Sequence, residues 1–170
     1  MARQAKTGTE AVNAINERIQ EYRGRMQERK FQGFEKYIMD SMKLDGVEDD
    51  GTAVFSVFLG PQLLHVGGSL HGGAATLILD QCTSLAIAPH SAPGYWEWSG
   101  GVSRSLSVTC LRAPPGHTTV KVRCKVIAIG QTAALVRGEI TSEDGSIIYD
   151  VLDHNKINVR LKPRAPGSKL

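Results

Sequence analysis

The chain has 170 residues, 41% hydrophobic and 22% charged, with a formal net charge of +3, which fits one globular domain with a sizeable core and an appendage. The charge is too small to make nucleic acid the main partner, and no apolar run approaches the ~18 residues of a membrane span. Three cysteines, Cys82, Cys110 and Cys124, without CxxC spacing argue against a disulfide framework or zinc site and read as core residues of a protein in a reducing compartment.

Residues 9–31 carry Val12, Ile15, Ile19, Tyr22 and Met26 at steps of three and four, the stripe of an amphipathic helix that packs on the domain C-terminal to it. No apolar leader core precedes it. Gly33 breaks the run, and Phe34, Tyr37, Ile38 and Met42 suggest a second short helix. Residues 1–42 are therefore read as a helical extension. "TAVFSVFLG" is β-branched and aromatic and reads as a strand. Residues 71–88 are apolar on nearly every side and end before Pro89, so they predict one buried helix. "HSAPGYWEWSGG" reads as a loop.

Four strand-like runs complete the domain. In the first, Val102, Leu106, Val108 and Cys110 share one face and Ser103, Ser105, Ser107 and Thr109 the other. In the second, Val120, Val122, Cys124 and Val126 oppose Lys121, Arg123 and Lys125. Gly130 turns the chain into "QTAALVRGEIT", and Asp144-Gly145 is a hairpin signal before "SIIYDVLDHNKINV". The order predicts an α+β domain over residues 43–160, a curved antiparallel sheet wrapped around one helix. A basic tail, 161–170, ends in Ser168-Lys169-Leu170, which has the form of a peroxisomal import signal and implies its receptor as a partner.

The start of the apolar helix holds the chemistry. Gly72 and Gly73 expose amide N–H groups at its positive end, where a carbonyl that becomes tetrahedral can be held; the bland alternative is close packing of the helix on the sheet. Asp80 lies eight residues on, about 12 Å along the axis at ~1.5 Å per residue. One carbonyl cannot touch both groups on one helix, but two antiparallel helices across a twofold axis bring each Asp80 to the other's Gly72. Thr76, Thr83 and Ser84 form a polar stripe around Asp80 and offer the alternative of a buried, merely satisfied carboxylate.

"GGSLHGGAATLILD", the "GVS" after it and the four-strand finish resemble the hotdog-fold acyl-CoA thioesterases of the phenylacetate-pathway and thioesterase-superfamily-member type, over residues 43–159. The resemblance implies a hotdog fold, dimers that often pair into tetramers, and hydrolysis of an acyl-CoA substrate with no metal or redox cofactor. It makes Gly72 the amide that polarises the thioester carbonyl, Asp80 the general base or nucleophile, and Ser103 the residue that positions water. His71 then fixes the start of the helix and, with Gly73 and Thr83, counts among the substrate-binding residues. Six residues before His71 the family usually has asparagine; here His65 stands there, and an imidazole can keep the hydrogen-bonding role.

Trp96 and Trp98, beside Tyr95, are candidates to wall an acyl pocket, with packing at a subunit contact the alternative. Lys121, Arg123 and Lys125, joined by Arg137, are candidates for the coenzyme A phosphates or else a solvated strand face. His90, His117 and His154 show no metal-ligand spacing and receive no role. Two other readings compete with hydrolysis: an enoyl-CoA hydratase of the same fold, and a non-catalytic acyl-CoA-binding protein.

Overall fold

The computed structural model describes residues 5–97 and 100–159; Trp98 and the Ser-Lys-Leu tail lie outside them. The chain opens with α1 (Gly8–Glu28) and α2 (Glu35–Ser41), then runs into β1 (Met42–Val47) and β2 (Ala53–Phe58). The central helix α3 spans Gly72–Leu85. Four strands complete the domain: β3 (Val102–Cys110), β4 (Thr119–Ile129), β5 (Ala133–Thr141) and β6 (Ile148–Ile157). They form one six-stranded antiparallel sheet in the order β1-β2-β4-β5-β6-β3. This is the hotdog architecture that the sequence resemblance implied.

Several boundaries move. Met42, read as helical, begins β1. Helix α3 stops at Leu85, three residues short of the expected end, and a short 3-10 turn at Ala88–His90 carries Pro89 near its start, where a missing N–H is harmless.

The core lies between α3 and the sheet. Ala75, Ile78, Leu79, Cys82 and Leu85 of the helix meet Phe55, Val57, Val122, Cys124 and Ile140 of the strands. The two approach closely at Gly138 of β5, where a Cβ would meet Thr83 Cγ2 at 2.9 Å and Leu79 Cδ2 at 3.0 Å. Close packing thus falls to a glycine of the sheet rather than to the glycines that open the helix. The extension closes one side of this core, with Ile15 and Ile19 of α1 and Ile38 and Met39 of α2 buried in it. Arg23 ties the two helices to β1 through the carbonyls of Met39 (2.6 Å) and Met42 (3.0 Å).

Strands β3 and β6 depart from the expected patterning. β3 is one of the two edge strands, β1 being the other, and all its residues are exposed except half-buried Val108. Cys110 is therefore exposed, whereas Cys82 and Cys124 are buried as expected. The pairing runs Cys110↔Asp150, Val108↔Leu152 and Leu106↔His154, then shifts so that Ser103 faces Lys156 while Ser105 faces Asn155. Such a bulge reverses the side-chain alternation. It turns Ser103 to the inner face, away from the serine face on which strict alternation placed it. The inner face of β6 carries buried Asp150, Leu152, His154 and Lys156.

Candidate active site

His71 caps α3. Its backbone is extended (φ −72°, ψ 133°) and its Nδ1 accepts the Gly73 N–H at 3.0 Å, so the Gly73 amide is used. The Gly72 N–H, in the first position of the helix, has no acceptor among the described residues. A Cβ at Gly72 would meet only Cys110 Sγ, at 4.0 Å. Packing inside the chain does not require this glycine, and its amide stands free at the positive end of the helix.

Two turns along, Asp80 meets a ready-made partner set. Ser103 Oγ donates to Asp80 Oδ1 at 2.8 Å. His154 Nε2 lies 3.0 Å from the same hydroxyl and 3.3 Å from Oδ1, and its Nδ1 lies 2.7 Å from Thr83 Oγ1. Thr83 has one hydrogen and also lies 2.6 Å from the Leu79 carbonyl, so the bonds fit two tautomers of His154. With the Thr83 hydrogen on Leu79, Nδ1–H donates to Thr83; with it on Nδ1, Nε2–H donates to Ser103, whose own hydrogen goes to the carboxylate. Burial, and then the charge of Lys156, push the imidazole down to about 3. His154 is thus neutral, and its contact with Asp80 is not an ion pair. Thr83 and His154 are both fully buried, and Thr83 acts from behind the site.

Ser84 accepts from Lys156 Nζ at 2.8 Å and donates to the Asp80 carbonyl at 2.7 Å. Lys156 is 1% exposed, and burial, opposed by the Asp80 charge, brings its ammonium down to about 8. The hydroxyls flanking Asp80 in sequence therefore serve the helix backbone, His154 and Lys156, and the carboxylate itself is held by Ser103 and His154. Its side chain remains 24% exposed. Asp80 lines two cavities, one of about 420 Å³ beside α1 and one of about 550 Å³ along Leu77 and Leu106. A carboxylate with one serine donor, open on two sides, can take a proton from water between them.

The other candidates lie elsewhere. His65 is exposed in the loop before α3; its Nδ1 accepts from the Gly67 N–H and its Nε2 bonds Ser69 Oγ, both at 2.8 Å. Trp96 is fully buried and packs with Ile87, Tyr95, Ala134 and Val136, its indole N–H on the Gly130 carbonyl at 2.8 Å. The basic strand face is paired: Lys121 with Asp45, Arg123 with both oxygens of Glu48, Lys125 with Asp50, and Arg137 with Asp153. The sequence reading missed His154 and Lys156. Their signal is the alternation 150, 152, 154, 156, which puts three ionisable residues on one face of β6.

A model of the thioesterase superfamily matches residues 67–149. No curated protein sequence matches the chain. Among solved structures, zebrafish thioesterase superfamily member 2 is similar at 21% identity and TM-score 0.65, over 78% of this chain and 91% of that one. A thioesterase described as phenylacetic acid degradation-related, from Ralstonia eutropha, aligns at 14% identity and TM-score 0.60, over 69% and 84%. A hypothetical thioesterase from Streptococcus pneumoniae, solved with coenzyme A, aligns at 19% identity and TM-score 0.57, over 68% and 87%. The resemblance to the thioesterase superfamily therefore holds in the family model and in the fold.

Proposed function

We propose that this protein is an acyl-CoA thioesterase that works as a symmetric dimer, each site combining Asp80, Ser103 and His154 of one copy with Gly72 of the other. The observation that carries the reading is the hydrogen-bonded cluster of Thr83, His154, Ser103 and Asp80, ending on a carboxylate that lines two cavities. It is supported by the free Gly72 amide, by the bare edge of β3 beside both groups, and by the thioesterases of the same fold, one of them solved with coenzyme A.

In the proposed reaction, water held by Ser103 and Asp80 gives its proton to the carboxylate as its oxygen bonds the thioester carbon. The carbonyl oxygen becomes an oxyanion on the Gly72 amide. The carbon–sulfur bond then breaks, the electron pair leaves with sulfur, and Asp80 returns the proton to the thiolate. Attack by Asp80 itself gives the same products through an anhydride that water opens.

Thiol release from acyl-CoAs of graded length, including phenylacetyl-CoA, tests the activity. Enoyl-CoA converted to hydroxyacyl-CoA without thiol release would favour the hydratase reading, and tight binding without turnover the binding-protein reading. The shared site has its own test. Asp80→Asn and Gly72→Pro, each strongly impaired alone, should regain activity when unfolded and refolded together, because a mixed dimer holds one intact site; no regain would overturn the shared site. We further propose that Ser168-Lys169-Leu170 addresses the protein to peroxisomes. A fluorescent fusion keeping the tripeptide should be punctate with a peroxisomal marker, and deletion of Leu170 should disperse it; diffuse signal from both would overturn the address.

A further inference from the structure

Lys156 has no part in the proposed hydrolysis. A buried ammonium costs several kcal/mol unless its hydrogen bonds are made. Lys156 carries three N–H donors and is 1% exposed, yet its one acceptor among the described residues is Ser84 Oγ at 2.8 Å. It lines the cavity of about 420 Å³ between α1 and α3 that Asp80 and Ser103 also line. Arg29, in the turn that ends α1, lines the same cavity, and Tyr22, Met26 and Phe31 give it an apolar wall. Glu35 is there too, with the Tyr22 hydroxyl (3.2 Å) on one oxygen and the Gln81 amide (3.3 Å) on the other. The cavity thus offers unfilled cationic donors a short way from the carboxylate that activates water.

We propose that this cavity takes the acyl group of a thioester whose far end carries a carboxylate, with Lys156 and Arg29 receiving that anion. The inference rests on the thioesterase reading and names its substrate class. An anion that meets Lys156 sits only a few bonds from the thioester carbon, because Lys156 and Asp80 share one cavity wall. The coenzyme A phosphates are separated from the sulfur by the whole pantetheine arm, so a second carboxylate on a short acyl group is the anion of suitable reach. The helical extension supplies about half of the residues that line this cavity.

The test compares matched pairs, succinyl-CoA with butyryl-CoA and adipyl-CoA with hexanoyl-CoA, on the full chain and on Lys156→Met, Lys156→Arg and Arg29→Ala. The wild type should favour one carboxylated member by about tenfold or more in kcat/KM, mostly through KM, as charge-assisted bonds provide. Lys156→Met should bring the ratio close to one and Lys156→Arg should restore part of it. Arg29→Ala, at an exposed position, should also lower the ratio and keeps the test open if the Met variant does not fold. Calorimetric binding of the same pairs to Asp80→Asn reads the preference without turnover. Tighter binding of a carboxylated member with no hydrolysis by the wild type would uphold the cavity and overturn the thioesterase reading. Equal affinities, a wild-type ratio of one, or an equal loss on both members of a pair in Lys156→Met would overturn the proposal and leave Lys156 as a support for Asp80 alone.

Discussion

In the proposed site, the group at the N-terminal end of α3 is a backbone amide, held by a one-residue cap and surrounded by open space. Two turns further along it is a carboxylate, held by Ser103 of a bulged strand and a neutral histidine, with a buried lysine nearby on Ser84. The first end costs little stability, because helix geometry leaves that N–H unpaired in any case. The second is expensive, because His154 and Lys156 are both kept in surroundings that oppose their charged forms. A donor can be supplied by secondary structure alone, whereas a poised base needs tertiary structure to hold it.

The largest effects should separate the two ends by kind. Asp80→Asn should lower kcat by about 10²–10⁴-fold with the fold intact, as loss of a general base does. Gly72→Pro should lower it by about 10²–10³-fold, as loss of an oxyanion donor does. Proline suits the first position of a helix, and His71 is already in the extended conformation that a proline after it requires. Gly72→Ala keeps the N–H and should stay within about threefold of wild type in kcat/KM, since only Cys110 Sγ lies near the added methyl; a loss as large as that of the proline variant would mean that space, not the amide, is what Gly72 provides.

The expense of the base end should be visible in stability against pH. His154 has an ordinary value of 6.5 and is held at about 3 in the folded chain, so between these values the unfolded state binds the extra proton. Stability should therefore fall as pH drops from 6.5 towards 3 and level off below. Melting curves of His154→Gln should lose this component of the slope; an unchanged slope would show that the imidazole is not buried neutral. The smallest effect belongs to His65, whose ring nitrogens serve Gly67 and Ser69. His65→Asn should change kcat/KM by less than about tenfold, the scale of a single positioning bond; a larger loss would bring the loop into the chemistry.

The helix, its cap and its carboxylate were legible in sequence because a 14-residue apolar segment constrains them locally. So was the inward face of β4, where Val120, Val122 and Cys124 alternate with charged residues. The inner face of β6 was not, because it inverts the usual patterning: Asp150, His154 and Lys156 point in while Val151 lies half-buried on the other side. Ser103 was found by resemblance and placed on the wrong face, since a one-residue bulge leaves no mark in composition. The pairing of Arg123 with Glu48 and of Lys125 with Asp50 joins residues 75 positions apart, which is why that strand face could be read as open to phosphates.

The bare edge of β3 also bears on when the protein becomes competent. Its row of unpaired backbone groups is a template for strand addition. If the proposed dimer forms by pairing β3 to β3, the melting temperature and the activity per chain should both rise with protein concentration by mass action. Newly made chains would then remain idle until they meet, and an exposed edge with Val102 and Leu106 upon it would make slow encounter, rather than slow folding, the stage most vulnerable to aggregation.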